Sequence, residues 1–125
     1  MVTCPNHFRN ITSKIRVVGV DDGAFQTGRK DAQRAPVLAV LFQNLHILSV
    51  RIGSMEVDGR DANRVLVSLL RPMRFDVTML SGISFAGFNL VDMGKLAHDT
   101  RRPVIAVTGE QPDNNAVRRA LRDHF

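Results

Sequence analysis

A short β-branched run that ends on two carboxylates constrains this chain most. Ile15, Val17, Val18 and Val20 are followed at once by Asp21, Asp22 and Gly23. The run has the composition of a buried strand. Adjacent strand residues point to opposite faces, so only one of the two acids can address a given site. A carboxylate at the end of a core strand is costly unless something pairs with it. A divalent cation is one such partner; an acid that closes a turn through its own backbone is the other reading.

The rest of the chain alternates in period. Residues 14–20 make the first predicted strand, residues 37–42 a second and residues 45–52 a third, with Gln43-Asn44 as the turn between the last two. Asp61 is placed to cap a helix in which Ala62, Val65, Leu66, Leu69, Leu70 and Met73 share one face, and Pro72 limits that helix. Residues 75–80 read as a fourth strand. Residues 81–89 read as a glycine-containing loop, and Asn89 as the cap of a second helix carrying Leu90, Val91, Met93, Leu96 and Ala97. Residues 103–108 read as a fifth strand. Pro112 and Asp113 open a last helix with a buried stripe of Val117, Ala120 and Leu121. The order β-β-β-α-β-α-β-α implies an α/β fold, a mixed sheet with helices on its faces. In such sheets the site lies at the carboxyl ends of the parallel strands. Residues 1–13 read as an N-terminal arm, and residues 14–125 as a single domain.

Composition narrows the function. The chain has 125 residues, a net charge of +5, seven Phe, no Tyr, no Trp and one Cys. The positive balance suits a polyanionic partner. The few aromatics argue against a base-stacking platform, and a single Cys, Cys4, makes a structural zinc site improbable and suits a cytoplasmic setting. No apolar run approaches the length of a membrane span. The basic segment at residues 23–35, with Arg29, Lys30 and Arg34, is long for a hairpin loop and is expected to contact nucleic acid or to be plain solvated surface.

Four motifs carry a family resemblance. They are Val18-Gly-Val-Asp-Asp-Gly23, Glu56-Val-Asp-Gly-Arg-Asp61, Ser84-Phe-Ala-Gly-Phe-Asn-Leu-Val-Asp92 and Pro103-Val-Ile-Ala-Val-Thr108. In this order and spacing the chain resembles the mainly archaeal family known as domain of unknown function 99. That family is similar in turn to endonuclease V, and so to the ribonuclease H-like fold. The resemblance implies an endonuclease dependent on Mg2+ or Mn2+ that cuts nucleic acid, DNA before RNA, near deaminated bases such as uracil or hypoxanthine. Such a hydrolase would serve DNA repair, and both a monomer and a homodimer are open to it. Residue by residue, it makes Asp21 and Asp58 catalytic, and adds Asp22 and Asp92 as further metal ligands. Ser81, Gly82 and Asn89 join Arg29, Lys30 and Arg34 against the nucleic acid. Endonuclease V carries an Asp-Gly pair after its fourth strand where this chain has Ser81-Gly82. The alternative is therefore a non-catalytic nucleic-acid-binding relative. In either case, affinity for duplex DNA is expected to fall with a log–log salt slope of about three to five. Titration of a labelled duplex across ionic strength measures it, and a flat response removes nucleic acid as a partner.

Overall fold

The computed structural model describes residues 13–25, 33–109 and 113–124. These form β1 (Arg16–Asp22), β2 (Arg34–Gln43), β3 (His46–Glu56), α1 (Ala62–Leu70), β4 (Val77–Leu80), β5 (Ser84–Phe85), β6 (Asn89–Leu90), α2 (Met93–Thr100), β7 (Val104–Ala106) and α3 (Asn114–His124). Five of the strands make one sheet in the order β3-β2-β1-β4-β7, and β5 and β6 make a separate hairpin. The β1–β2 and β2–β3 pairs are antiparallel, whereas β1–β4 and β4–β7 are parallel. The expected order is present, with the β5–β6 hairpin inserted between β4 and α2.

The first three strands run longer than their apolar runs, whereas β4 and β7 are shorter than the expected residues 75–80 and 103–108. β1 extends through both acids, so Asp21 and Asp22 lie in the ladder opposite Leu38 and Val37 rather than beyond it. The hairpin turn falls on Asn44 and Leu45, one residue later than expected, with φ of 48° and 66°. Two successive left-handed residues are what a two-residue turn needs to match the strand twist.

Alternation along β1 divides the molecule. Val18 and Val20 are buried on one face, against Leu66 and Leu70 of α1 and Leu96 of α2, all fully buried. Burial of each such side chain is worth about 1.5–3 kcal/mol. On the other face, register places Val50, Val40, Gly19, Met79 and Ile105 in one row across all five strands. Val50, Met79 and Ile105 in that row are exposed. The stripe expected to be buried on the last helix is not: Val117 and Leu121 are each 39% exposed, and α3 contributes no residue to the core cluster. A helix with a suitable pattern is buried only where a surface meets it, and the pattern alone does not supply one.

Leu45 combines a left-handed backbone with 94% exposure. The strain of such a conformation for an L side chain is about 1–2 kcal/mol, against about 0.5–1 kcal/mol of added glycine entropy. Leu45→Gly is therefore expected to stabilise the protein by up to about 1 kcal/mol, read as a raised midpoint in urea unfolding.

Candidate active site

The carboxyl ends of β1 and β4 lie side by side because the two strands are parallel neighbours, and the Ser81 N–H donates to the Val20 carbonyl at 3.0 Å. That pairing brings Ser81 beside Asp21. The Ser81 hydroxyl donates to Asp21 Oδ1 at 2.7 Å, and the Asp22 N–H donates to the same oxygen at 2.9 Å. Asp21 is exposed. One of its oxygens is thus fixed from two sides, and the side chain still faces solvent.

Asp22 points the other way, towards the helix-covered face that holds Val18 and Val20. Its Oδ2 accepts from the Ala86 N–H at 2.6 Å. The Asp58 N–H donates to the Ala86 carbonyl at 2.8 Å, and Asp58 Oδ1 accepts from the Phe88 N–H at 2.9 Å. Asp22 and Asp58 together therefore grip the turn of the β5–β6 hairpin. Asp58 and Ala86 both have left-handed backbones, with φ of 54° and 44°. Ala86 has no side-chain polarity to offset that geometry, so its two hydrogen bonds hold it there. Gly87 packs against Asp58 Oδ1 so closely that a Cβ at that position would collide with the carboxylate.

A second cluster lies behind the turn. Asn89 is fully buried, donates to the Glu56 carbonyl at 2.9 Å and to Asp61 Oδ1 at 2.6 Å, and accepts from the Ala62 N–H at 3.0 Å. Asn89 thus caps α1 from a distance, the role expected of Asp61. Asp61 makes no side-chain cap bond to its own helix. Its Oδ1 accepts instead from the Glu56 N–H at 3.1 Å, and its Oδ2 lies 3.5 Å from Arg64 and 3.7 Å from Arg34.

Several expected site residues are committed elsewhere. Asn89 is buried too deeply to meet nucleic acid, and α2 is capped by Asp92 instead, whose Oδ1 accepts from the Lys95 N–H at 2.9 Å. Asp92 also exchanges two hydrogen bonds with Asn63, through its N–H and its carbonyl, and so ties α2 to α1. Arg34 donates to Ser54 Oγ at 2.9 Å and to the Ser54 carbonyl at 2.8 Å, which binds β2 to β3. Gly82 follows Ser81 at the mouth of the site and is half-buried. Arg29 and Lys30 lie outside the described residues. Asp61 was missed as a site-organising acid; its signal was its position beside Glu56 and ahead of the helix, which a capping role explained equally well.

A hard divalent cation suits the donors present. Among the described residues no three His, Cys, Asp or Glu side chains gather into one cage. Mg2+ does not require one: it is commonly held by one or two carboxylates and keeps several waters. Asp21 fits that role, with Oδ1 fixed and its carboxylate open to solvent.

Residues 13–125 match the family model described as endonuclease dU. The chain belongs to the endonuclease dU family. A UPF0215 protein of Thermococcus sibiricus is 38% identical over 122 residues, covering 94% of this chain and 63% of its own length. The chain therefore spans less than two thirds of that relative. A solved protein of unknown function from Archaeoglobus fulgidus superposes with a TM-score of 0.79 at 27% identity, over 90% of this chain and 64% of that one. Endonuclease V of Ciona intestinalis, solved with a 24mer DNA containing an inosine followed by a ribo-adenosine, gives a TM-score of 0.55 at 12% identity, over 87% and 54%. At that identity the likeness speaks for the fold alone, and this chain shares the ribonuclease H-like mixed sheet.

Removing the Asn89 amide strands the Ala62 N–H, leaves the Glu56 carbonyl with the Gly59 N–H alone and takes a donor from Asp61. Each buried unpaired group costs about 1–3 kcal/mol. Asn89→Ala is expected to lower unfolding free energy by about 3 kcal/mol or more, measured by chemical denaturation.

Proposed function

We propose that this protein is a divalent-metal-dependent endonuclease that cleaves nucleic acid, DNA before RNA, near a deaminated base such as uracil or hypoxanthine. The observation that carries the reading is the exposed carboxylate of Asp21, fixed at the end of a central strand by Ser81, which follows the neighbouring parallel strand. Membership of the endonuclease dU family supports the reaction class. The inosine-containing DNA bound by the Ciona endonuclease V supports the substrate class by fold likeness alone.

In this reading Asp21 and Asp58 hold Mg2+ or Mn2+, while Asp22, turned to the other face of β1, holds the hairpin and Asp92 caps α2. The cation, when bound, supplies a nucleophilic water at neutral pH and stabilises charge on the leaving oxygen. The protein supplies position. Ser81 holds the Asp21 carboxylate in one orientation. Asp22 and Asp58 hold the hairpin turn at residues 86–88, which closes one side of the site. Gly82 leaves the other side low enough for a phosphate backbone to approach. The basic balance of the chain suits that partner. Among the described residues no helix is long and apolar enough to cross a membrane. A cytoplasmic homodimer remains part of the proposal.

A second reading rests on Ser81. Its hydroxyl occupies an Asp21 oxygen that a third carboxylate would leave to the cation, and serine is a poor ligand for a hard ion. That favours a nucleic-acid-binding relative without cleavage.

Asp21→Asn keeps the acceptor for Ser81 and removes the charge. It is expected to leave the thermal midpoint unchanged or slightly raised without metal, and to lower Mg2+-dependent cleavage of uracil- or hypoxanthine-containing oligonucleotides by about a hundredfold or more. A loss of several degrees would make Asp21 a turn-forming residue and remove the main support for a nuclease. If the wild type cuts nothing with Mg2+ or Mn2+ and Ser81→Asp does cut, the binding relative is the correct reading.

A further inference from the structure

A set of basic residues gathers at the end of the sheet opposite the acids. A groove of about 700 Å³ at the start of β1 is lined by Lys14, Arg16, Arg71, Arg74, Arg101 and Arg102, with Asp76 and Asp99 as its acids. A second groove of about 590 Å³ runs between α1 and α2 and adds Arg64 and Lys95. The two share Val67, Arg71 and Asp99, so they form one continuous furrow. Its upper end reaches Asn63 and Arg64 in the first turn of α1, beside Asp61. Its lower end opens at the carboxyl ends of both helices.

Most of this charge is uncommitted. Arg16 donates to Gln43 Oε1 at 3.3 Å and Arg102 to the Phe75 carbonyl at 2.8 Å. Asp76 accepts from the Arg16 N–H, and Asp99 lies against His98. Among the described residues neither acid forms an ion pair with a cation of the furrow, and Lys14, Arg71, Arg74 and Arg101 form none at all. Complementing a helix dipole accounts for a cation or so within the last turn of each helix. It does not account for Lys14, nor for Lys95 and Arg64 at the helix starts, where a cation opposes the dipole. A trough in which cations outnumber acids, with apolar walls, here Val67, Leu70, Met73 and Phe75, focuses field on an elongated anion.

We infer that this furrow is a phosphate track, which binds the backbone of the nucleic acid on one flank of the site. The inference rests on the nucleic-acid partner proposed above and does not require cleavage. Arg16 and Asp22 stand at opposite ends of β1, six strand steps of about 3.3 Å apart, or about 20 Å. At 3.4 Å per base pair along a strand, that separation of the track's start from the site corresponds to about six base pairs.

The test uses fluorescence anisotropy of undamaged, labelled duplexes of graded length without divalent metal, so that it is independent of catalysis. The triple variant Arg71→Gln, Arg74→Gln, Arg101→Gln is compared with Arg118→Gln, Arg119→Gln, Arg122→Gln, which removes equal charge from α3. The furrow variant is expected to bind at least about tenfold more weakly at low salt and to lose about two to three from the salt slope, at 0.9 per phosphate contact. The α3 variant should lose markedly less. Lysine in place of the same three furrow arginines should restore binding, and melting by circular dichroism checks the fold of each protein. If the furrow triple does not fold, Lys14→Gln with Lys95→Gln makes the same comparison against Arg118→Gln with Arg119→Gln. Equal losses in furrow and α3 variants, or no loss in the furrow variant, overturn the track. A wild type that binds through the furrow but never cuts leaves the track standing and removes only the nuclease.

Discussion

Asn89 donates to the Glu56 carbonyl and to Asp61, and accepts from the first N–H of α1, so β3, β6 and α1 meet at one buried amide. A buried amide with its partners in place is inexpensive, and with any of them missing it is not. The position of Asp58 depends on it. Asp58 sits between Glu56, which Asn89 holds through the backbone, and Asp61, which Asn89 holds through the carboxylate. The hairpin turn that Asp58 and Asp22 grip lies immediately ahead of Asn89 in the chain. The site is thus set by a polar hub behind it as much as by the strand ends in front.

The three acids near the strand ends divide the work. Asp21 faces solvent and is oriented by Ser81; Asp22 and Asp58 spend an oxygen each on backbone N–H groups of the hairpin turn. Carboxylates used in this way are fixed in place without being neutralised, which is the condition a cation site requires. The left-handed Ala86 lies in the loop those bonds restrain. Backbone strain held by side chains around a site is a common sign of a geometry kept for chemistry rather than for stability.

Much of this was legible. The β-branched run before Asp21, the 3.6-residue period of α1 and the order of elements gave the mixed sheet; that the first and fourth strands are its parallel neighbours came with the structure. The Gly87-Phe-Asn-x-x-Asp92 stretch was readable as special, and the structure explains each marked residue: Gly87 for close approach to Asp58, Asn89 for α1, Asp92 for α2. What was illegible has two physical causes. β5 and β6 are two residues each, too short to carry a period. Asp61, Asn89 and Arg34 act on partners 20 or more residues away, and local capping rules describe only near neighbours. The apolar stripe of α3 was read correctly as a pattern, but what would cover it is not a property of the helix.

Among the described residues the row from Val50 through Gly19 to Ile105 leaves one side of the sheet oily and open, while the charged furrow lies on the side covered by α1 and α2. The two sides answer oppositely to the solvent. Counterions displace a polyanion from the furrow as ionic strength rises. Kosmotropic salts such as sulfate drive apolar surface out of water, and cooling weakens that drive. On the reading of the furrow as a phosphate track, a sulfate-rich wash that strips nucleic acid from it favours whatever can cover the open face of the sheet, and a cold, dilute buffer that keeps that face solvated also lets stray nucleic acid stay bound.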